Sequence, residues 1–188
     1  MVLGMFEYMK RIFFVLFALL ISLNLAAKGK IVTFDIDSKI LGCVKTTSVY
    51  LPEGYDENED VYYPVLYLLH GLSDDHSMWT RRTSIERYAE SRNLAVIMPT
   101  TYRGYYTDME NGYNYWTYIA EELPKKLHSM FNISKEREKT FAAGLSMGGY
   151  GAVKAALSFI PYVTKPTSKL SISPYASIFR VYRYGFSA

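Results

Sequence analysis

Ser146 stands in the segment Gly144-Leu145-Ser146-Met147-Gly148, which matches the pattern G-x-S-x-G. This pattern marks a sharp turn between a strand and a helix, from which the serine hydroxyl projects above the sheet. Glycines two positions before and two after the serine let the backbone cross closely without β-carbon clashes. An activated serine hydroxyl attacks ester carbonyls and forms a covalent acyl intermediate. The spacing therefore predicts Ser146 as the nucleophile of an acyl-transfer reaction.

The residues around this segment supply the setting that the pattern requires. The pattern alone is weak, because average glycine and serine frequencies give a chance match on the order of a few per cent. An apolar run at 140–143 precedes the segment, and a stretch rich in small residues follows it to residue 157. This order of strand, turn and helix favours the catalytic interpretation over the alternative, a glycine-rich turn in an unrelated α/β protein.

Apolar runs alternate with helical patterns along the chain. Strands are predicted at 31–36, 46–51, 65–69, 94–98 and 140–143. Helices are predicted at 82–91, 116–131 and 146–157, with a kink or restart at Pro124, which lacks a backbone N–H. This alternation from residue 64 onward indicates βαβ units, and hence an α/β fold with a mostly parallel sheet flanked by helices.

Composition excludes several classes of function. A hydrophobic share of 49% over 188 residues is enough for one domain with a buried core. The net charge of +3, without a block of basic residues, argues against nucleic-acid binding. No H-x-x-H or C-x-x-C spacing predicts a metal site. Cys43, the single cysteine, has no histidine near it in sequence, so we interpret it as a buried residue without a catalytic role.

Tyrosines are unusually frequent and clustered. The chain holds 18 Tyr and 10 Phe, with clusters at 102–106 and 113–116. Two interpretations stay open. The clusters line a groove that faces carbohydrate or aryl groups, or they are amphipathic side chains that cover a partly buried surface.

The first 27 residues have the order of a secretion signal. Lys10 and Arg11 provide positive charge, residues 12–23 are almost purely apolar, and Ala26 and Ala27 supply small residues before Lys28. The apolar run is short for a membrane-spanning helix, which needs about 20 residues. We therefore expect a signal peptide at 1–27 and a secreted or periplasmic protein, with an uncleaved N-terminal anchor as the alternative.

The sequence resembles one branch of the α/β hydrolases, which holds tributyrin and acetyl esterases, feruloyl and acetylxylan esterases, S-formylglutathione hydrolases and mycolyltransferases. The resemblance covers about residues 30–157 and is carried by residues 67–71, 79, 84–89, 95–99, 106–109, 115–124 and 141–152. It implies an α/β-hydrolase fold and two-step hydrolysis of a small-molecule or carbohydrate-linked ester. It implies no cofactor. From the N-terminal segment we expect no membrane contact beyond the signal peptide.

The same resemblance implies roles for the loop that follows the strand at 65–69. In this fold that loop and the residue after the serine each donate one backbone N–H to the oxyanion of the reaction intermediate. Leu72 and Met147 are the matching donors. His70 is expected to fix the loop through hydrogen bonds, while His76 and His128 are expected to be ordinary loop and helix-surface residues.

The sequence departs from the family pattern after the serine. In this fold the triad follows the order Ser, Asp or Glu, His. Every Asp and Glu lies at or before Glu138, and every His at or before His128. We therefore expect an α/β-hydrolase domain at 28–157 that is incomplete at the C-terminus, an atypical tail at 158–188 from a frameshifted or prematurely ended reading frame, and an inactive chain.

Two alternatives to an inactive serine esterase remain open. The chain is a non-catalytic relative that binds carbohydrate or lipid in a retained groove, or it is a working enzyme with an unusual base. The candidates for that base are His70, His76 and a residue from another chain.

Overall fold

One mixed sheet of six strands runs through the computed structural model, which describes residue 10 and residues 29–55, 60–158 and 177–179. The strands are β1 (Lys30–Ser38), β2 (Cys43–Leu51), β3 (Val65–Leu69), β4 (Ala95–Pro99), β5 (Thr140–Gly144) and β6 (Ser177–Phe179). They lie in the order β1-β2-β4-β3-β5-β6. The predicted α/β fold class is confirmed.

The centre of the sheet is parallel and its flanks are antiparallel. β3 runs parallel to both β4 and β5, whereas β1 and β2 form an antiparallel hairpin, and β2 runs antiparallel to β4. The central strands β3 and β4 are nearly continuous apolar runs, as expected for strands that are covered on both faces. Because β3, β4 and β5 share one direction, their carboxyl ends meet at a single edge of the sheet.

Five helices accompany the described strands: α1 (Met78–Arg82), α2 (Ile85–Glu90), α3 (Tyr115–Thr117), α4 (Leu123–Met130) and α5 (Met147–Ser158). The prediction of one continuous helix at 82–91 is wrong at its start, because residue 82 ends α1 and α2 begins at Ile85. The chain breaks between α1 and α2 because Thr83 is extended, with φ −141° and ψ 170°. Its hydroxyl and its backbone N–H both donate to the Trp79 carbonyl, at 2.6 and 3.0 Å.

A π turn joins α3 to α4. It spans Tyr118–Glu122, directly before the turn that contains Pro124. Proline has no backbone N–H to donate to the carbonyl four residues earlier, as a regular helix requires. The wider π turn accommodates this missing hydrogen bond. The predicted kink or restart at Pro124 is confirmed as a change of helix type.

Two apolar layers hold the helices against the sheet. One face of the sheet packs on α4, α5 and the π turn, and the other packs on α2. The first layer centres on Val49, Val65, Tyr67, Leu69, Ile97, Tyr118, Leu123, Leu127 and Met147, and the second on Tyr50, Leu68, Ile85, Ala89, Val96 and Met98.

A carboxylate on the π turn fastens the β1–β2 hairpin to the helices. Glu122 accepts hydrogen bonds from Ser38 Oγ at 2.5 Å and from the Lys39 backbone N–H at 2.9 Å. Burial by itself raises the pKa of Glu122. The two bonds above, a third from the Ile40 N–H and the charge of Lys126 have the opposite and larger effect. The pKa is therefore lowered below its usual value. The ionised carboxylate is therefore part of the folded structure.

The ends of the chain lie mostly outside the described residues. The predicted signal peptide falls there except for residue 10, as does the predicted tail except for residues 158 and 177–179. From the tail, the described β6 pairs antiparallel with Ala142, Ala143 and Gly144 of β5. In the described part of the chain, no helix is long and apolar enough to cross a membrane.

Candidate active site

Ser146 occupies a tight turn between β5 and α5. β5 ends at Gly144 and α5 begins at Met147, which is the predicted strand–turn–helix arrangement. Ser146 is exposed and has φ +54°, in the left-handed region that non-glycine residues rarely occupy. Such strain persists only when the surrounding structure holds the residue in place, and it is concentrated at functional sites.

Glycines are required on both sides of this turn. A β-carbon at Gly144 would stand 2.3 Å from the carbonyl carbon and oxygen of Gly148. A β-carbon at Gly148 would stand 2.1 Å from the carbonyl oxygen of Leu69, at the end of β3. Both contacts involve backbone atoms, which cannot swing aside as a flexible side chain could. The two glycines therefore let the turn close and let α5 approach β3.

The loop after β3, here called the β3 loop (residues 70–74), lies beside this turn. The Leu145 N–H donates to the Leu69 carbonyl at 3.3 Å, and a β-carbon at Gly71 would lie 3.5 Å from the Leu145 oxygen. Within the described ranges, the backbone N–H groups of Leu72 and Met147 donate to no acceptor. Two free donors thus occur in the two segments that meet at Ser146.

The amino end of α5 adds partial positive charge next to Ser146. Met147 is the first residue of the helix, where backbone N–H groups have no partner within the helix and carry partial positive charge. Its side chain is 2% exposed and packs in the larger apolar layer, which anchors the start of the helix. An anion that forms beside Ser146 would be stabilised by this end of α5.

His70 fixes the β3 loop and is not available as a base. Its Nε2 accepts the Thr101 backbone N–H at 2.9 Å, so the ring proton lies on Nδ1, which donates to the Gly71 carbonyl at 2.6 Å. The residue is 1% exposed, and burial lowers the pKa of the imidazole. The structure thus agrees with a loop-fixing role and contradicts the hypothesis that His70 serves as the base.

Neither of the other histidines is placed to serve Ser146. His76 Nδ1 is hydrogen-bonded to Ser48 Oγ on β2 at 2.8 Å. β2 is three strand spacings from β5, or roughly 14 Å. His128 lies near the end of α4, which leads to the start of β5, at the opposite edge of the sheet from Ser146. The hypothesis of a base at His76 is therefore not supported by its position.

The loop after β4, here called the β4 loop (residues 101–107), carries three strained tyrosines. Tyr102, Tyr105 and Tyr106 have φ values of +47°, +47° and +50°. Tyr106 is fully buried, and its hydroxyl donates to the His70 carbonyl at 3.1 Å. Lys154 of α5 donates to the Tyr106 carbonyl at 3.1 Å and lies 4.5 Å from the Trp116 ring. The loop is therefore tied both to the β3 loop and to α5.

Lys45 of β2 is a buried cation surrounded by tyrosine rings. Its Nζ lies 4.9, 5.3 and 5.5 Å from the ring centres of Tyr102, Tyr113 and Tyr115. The residue is 7% exposed. Burial lowers the pKa of Lys45, but Tyr115, Cys43 and Tyr102 outweigh it, so the pKa is raised. Sequence reasoning missed this cluster, because nothing in the strand pattern distinguishes Lys45 from a solvated lysine.

The burial of the tyrosines agrees in part with the interpretation that they cover a partly buried surface, while a groove that faces carbohydrate or aryl groups stays a prediction. Tyr106, Tyr115 and Tyr118 are buried and cover the core. Others remain about half exposed: Tyr102 at 52%, Tyr105 at 49%, Tyr113 at 47% and Tyr150 at 52%. Within the described ranges, no group of His, Cys, Asp or Glu is arranged to hold a metal ion.

Comparisons with known proteins place the chain among esterases. Residues 38–180 match the family model described as "Putative esterase". This match extends beyond residue 157, where the predicted resemblance ends. An acetyl esterase of Caldicellulosiruptor saccharolyticus is 33% identical over 127 residues, which are 65% of this chain and 48% of that protein.

Solved structures give the same result. The fluorophosphonate-binding serine hydrolase F of Staphylococcus aureus is 40% identical with a TM-score of 0.66, over 70% of this chain and 53% of that one. A ferulic acid esterase is 28% identical with a TM-score of 0.64, over 71% and 57%. The chain thus spans about half the length of the relatives it matches.

Proposed function

The chain belongs to the esterase family that matches residues 38–180, and on that premise we propose that Ser146 is the nucleophile of a carboxylic-ester hydrolase. The observation that carries the proposal is the strained turn at Ser146, closed by backbone contacts at Gly144 and Gly148. Backbone strain of this kind is concentrated at functional sites, and here it falls on the serine of the G-x-S-x-G pattern.

The chemistry is a two-step acyl transfer. Ser146 Oγ attacks the ester carbonyl as its proton passes to solvent water, and the backbone N–H groups of Leu72 and Met147 hold the negative oxygen of the tetrahedral intermediate. Collapse of that intermediate releases the alcohol and leaves an acyl group on Ser146. Water then attacks the acyl-enzyme, releases the carboxylic acid and restores the serine hydroxyl.

We propose that turnover by these 188 residues is slow. Residues 147–188 contain no Asp, Glu or His, and the histidines upstream are engaged or placed elsewhere. Without a base the serine hydroxyl stays protonated and is a weak nucleophile. An oxyanion site and binding alone accelerate acyl transfer by about 10³–10⁴ over water. We expect the chain to hydrolyse activated esters about 10³–10⁴ times faster than water alone does.

The test compares the chain with two serine variants. Hydrolysis of p-nitrophenyl butyrate and labelling by a fluorophosphonate are measured for the natural chain, for Ser146→Ala and for Ser129→Ala, an exposed serine on α4. Slow hydrolysis that is lost only in Ser146→Ala supports the proposal. Equal rates in all three proteins refute Ser146 as the nucleophile. Fast, stoichiometric labelling at Ser146 refutes only the proposal of slow turnover.

A second candidate function is non-catalytic binding of carbohydrate or lipid. The observation in its favour is the set of half-exposed tyrosines on the β4 loop and next to it, including Tyr102 and Tyr113. Titration with xylo-oligosaccharides and with short-chain lipid vesicles, followed by tyrosine fluorescence, tests this alternative. Saturable binding that is unchanged in Ser146→Ala, together with hydrolysis equal to background, would favour it over the esterase.

We also propose that residues 1–27 act as a cleaved secretion signal. Lys10 and Arg11 ahead of the apolar run at 12–23 support this proposal. Expression of the full sequence in a bacterium, followed by fractionation and N-terminal sequencing, is the test. A mature protein that starts near Lys28 in the periplasm or medium agrees with it. A full-length chain in the membrane fraction would indicate an uncleaved anchor.

A further inference from the structure

The β3 loop and the β4 loop are joined by an arginine that has no carboxylate partner among the described residues. Arg103 Nε donates to Ser73 Oγ at 2.8 Å. Tyr102 and Asp74, the neighbours of these two residues, pair as an isolated antiparallel bridge. Arg103 is exposed, and among the described residues it forms no ion pair. Its Nη atoms therefore remain open to a ligand.

Asp74, the residue after Ser73, is engaged by other arginines. Asp74 accepts from Arg81 Nη2 at 2.6 Å and lies 3.6 Å from Arg82 Nη2. Asp75 is held by the backbone N–H and hydroxyl of Ser77 at 2.8 and 2.6 Å. The rim formed by these loops thus presents an uncompensated guanidinium.

The β3 loop keeps this guanidinium close to Leu72. The Asp74 N–H donates to the Gly71 carbonyl at 3.4 Å, which closes a turn with Leu72 and Ser73 at its centre. Ser73 has φ +60°, as the third residue of a type II turn requires, and its hydroxyl is the atom that Arg103 contacts. Consecutive Cα atoms are about 3.8 Å apart, so the guanidinium lies within roughly 10 Å of the Leu72 N–H.

We propose that Arg103 is a specificity-determining residue that binds a carboxylate carried by the ester substrate. The inference rests on the proposed function, because it places the ester carbonyl at the Leu72 N–H. With Nε anchored on Ser73, the planar guanidinium is oriented in advance and offers its outer edge to a carboxylate. The substrate class is a half-ester of a short dicarboxylic acid, whose free carboxylate reaches Arg103 when its ester carbonyl lies at Ser146.

Binding to the natural chain tests this proposal without any need for turnover. The probe is ethyl hydrogen succinate, and its matched control is the neutral amide ethyl succinamate. Dissociation constants are measured by NMR titration, with the amide signals of Leu72 and Ser73 as reporters. Exposed charge pairs contribute modestly, so we expect the anion to bind about three- to fivefold more tightly than the amide at low salt. The preference should fall as salt is added.

Four variants separate the proposed contact from general charge effects. Arg103→Gln should abolish the preference, and Arg103→Lys should retain part of it because the charge remains. Arg92→Ala removes an exposed arginine just after α2 and should leave the preference intact. Ser146→Ala should also leave it intact, so a failure of the proposed nucleophile is distinguishable from a failure of this inference. Equal affinities in the natural chain, or a preference that survives in Arg103→Gln, would overturn it.

Discussion

The Cα of Gly148 lies so close to the carbonyl of Leu69 that a β-carbon on it would stand 2.1 Å from the oxygen. We therefore expect Gly148→Ala to push α5 away from β3 and to lower the free energy of unfolding by about 3 kcal/mol or more. Gly71→Ala is the matched control, because its β-carbon would meet the Leu145 oxygen at an ordinary 3.5 Å. Urea denaturation of both variants is the measurement, and equal losses would contradict the steric explanation.

Replacement of Ser146 should reveal the strain in its backbone. A left-handed conformation costs a residue with a β-carbon roughly 1–2 kcal/mol, whereas glycine adopts it freely. We expect Ser146→Gly to be more stable than Ser146→Ala by about 0.5–1 kcal/mol, after the greater flexibility of glycine in the unfolded chain is counted. The order should reverse at Ser129, inside α4, where glycine is about 1 kcal/mol worse than alanine. Thermal unfolding of the four variants decides the matter.

The carboxylate of Glu122 should make stability depend on acid pH. Because folding lowers its pKa, the stabilisation is complete above the unfolded-state pKa of about 4.3 and is lost as pH falls through the lower folded value. Glu122→Gln should cost about 1–3 kcal/mol at pH 7, and the difference from the natural chain should shrink below pH 4. Glu121→Gln, at the exposed neighbouring position, should cost little at any pH. A constant difference between the natural chain and Glu122→Gln from pH 7 to pH 3 would refute this account.

The cation of Lys45 should stabilise the β4 loop through its ring contacts. Lys45→Met keeps an apolar stem of similar length but removes the charge. Cation–π contacts of a desolvated ammonium contribute up to about 2 kcal/mol, so we expect a loss of about 1–3 kcal/mol across the three tyrosines. Hydrogen exchange at residues 101–107 should quicken in this variant. The same change at Lys125, an exposed position on α4, should alter neither stability nor exchange.

The sequence predicted the nucleophile turn because the residue types that the turn requires all lie within one five-residue pattern. Glycine at 144 and 148 is the local requirement for a strand and helix that cross so closely, and the structure gives the clash that explains each one. Strands β3, β4 and β5 were predictable for a similar reason, since a strand buried on both faces must be apolar throughout.

One feature that escaped prediction is a local break in the backbone, and two others depend on contacts between distant segments. The break at Thr83 is a change to extended backbone at one residue, in a stretch whose apolar spacing looks continuous. The environment of Lys45 is built by tyrosines about sixty to seventy residues away, and the anchoring of Arg103 comes from Ser73 on another loop. No pattern local to either residue reports such partners.

The π turn at Tyr118–Glu122 also has a consequence for how this chain compares with relatives of different length. A wide turn holds one residue more than a regular helix over the same rise. A deletion there would rotate the remainder of the helix by about 100°, since each residue of an α-helix advances by that angle. Leu123 and Leu127 would then leave the core, or Glu122 would leave the hairpin. A relative with a regular helix should therefore align with a one-residue gap at this turn and should hold its β1–β2 hairpin by a different side chain.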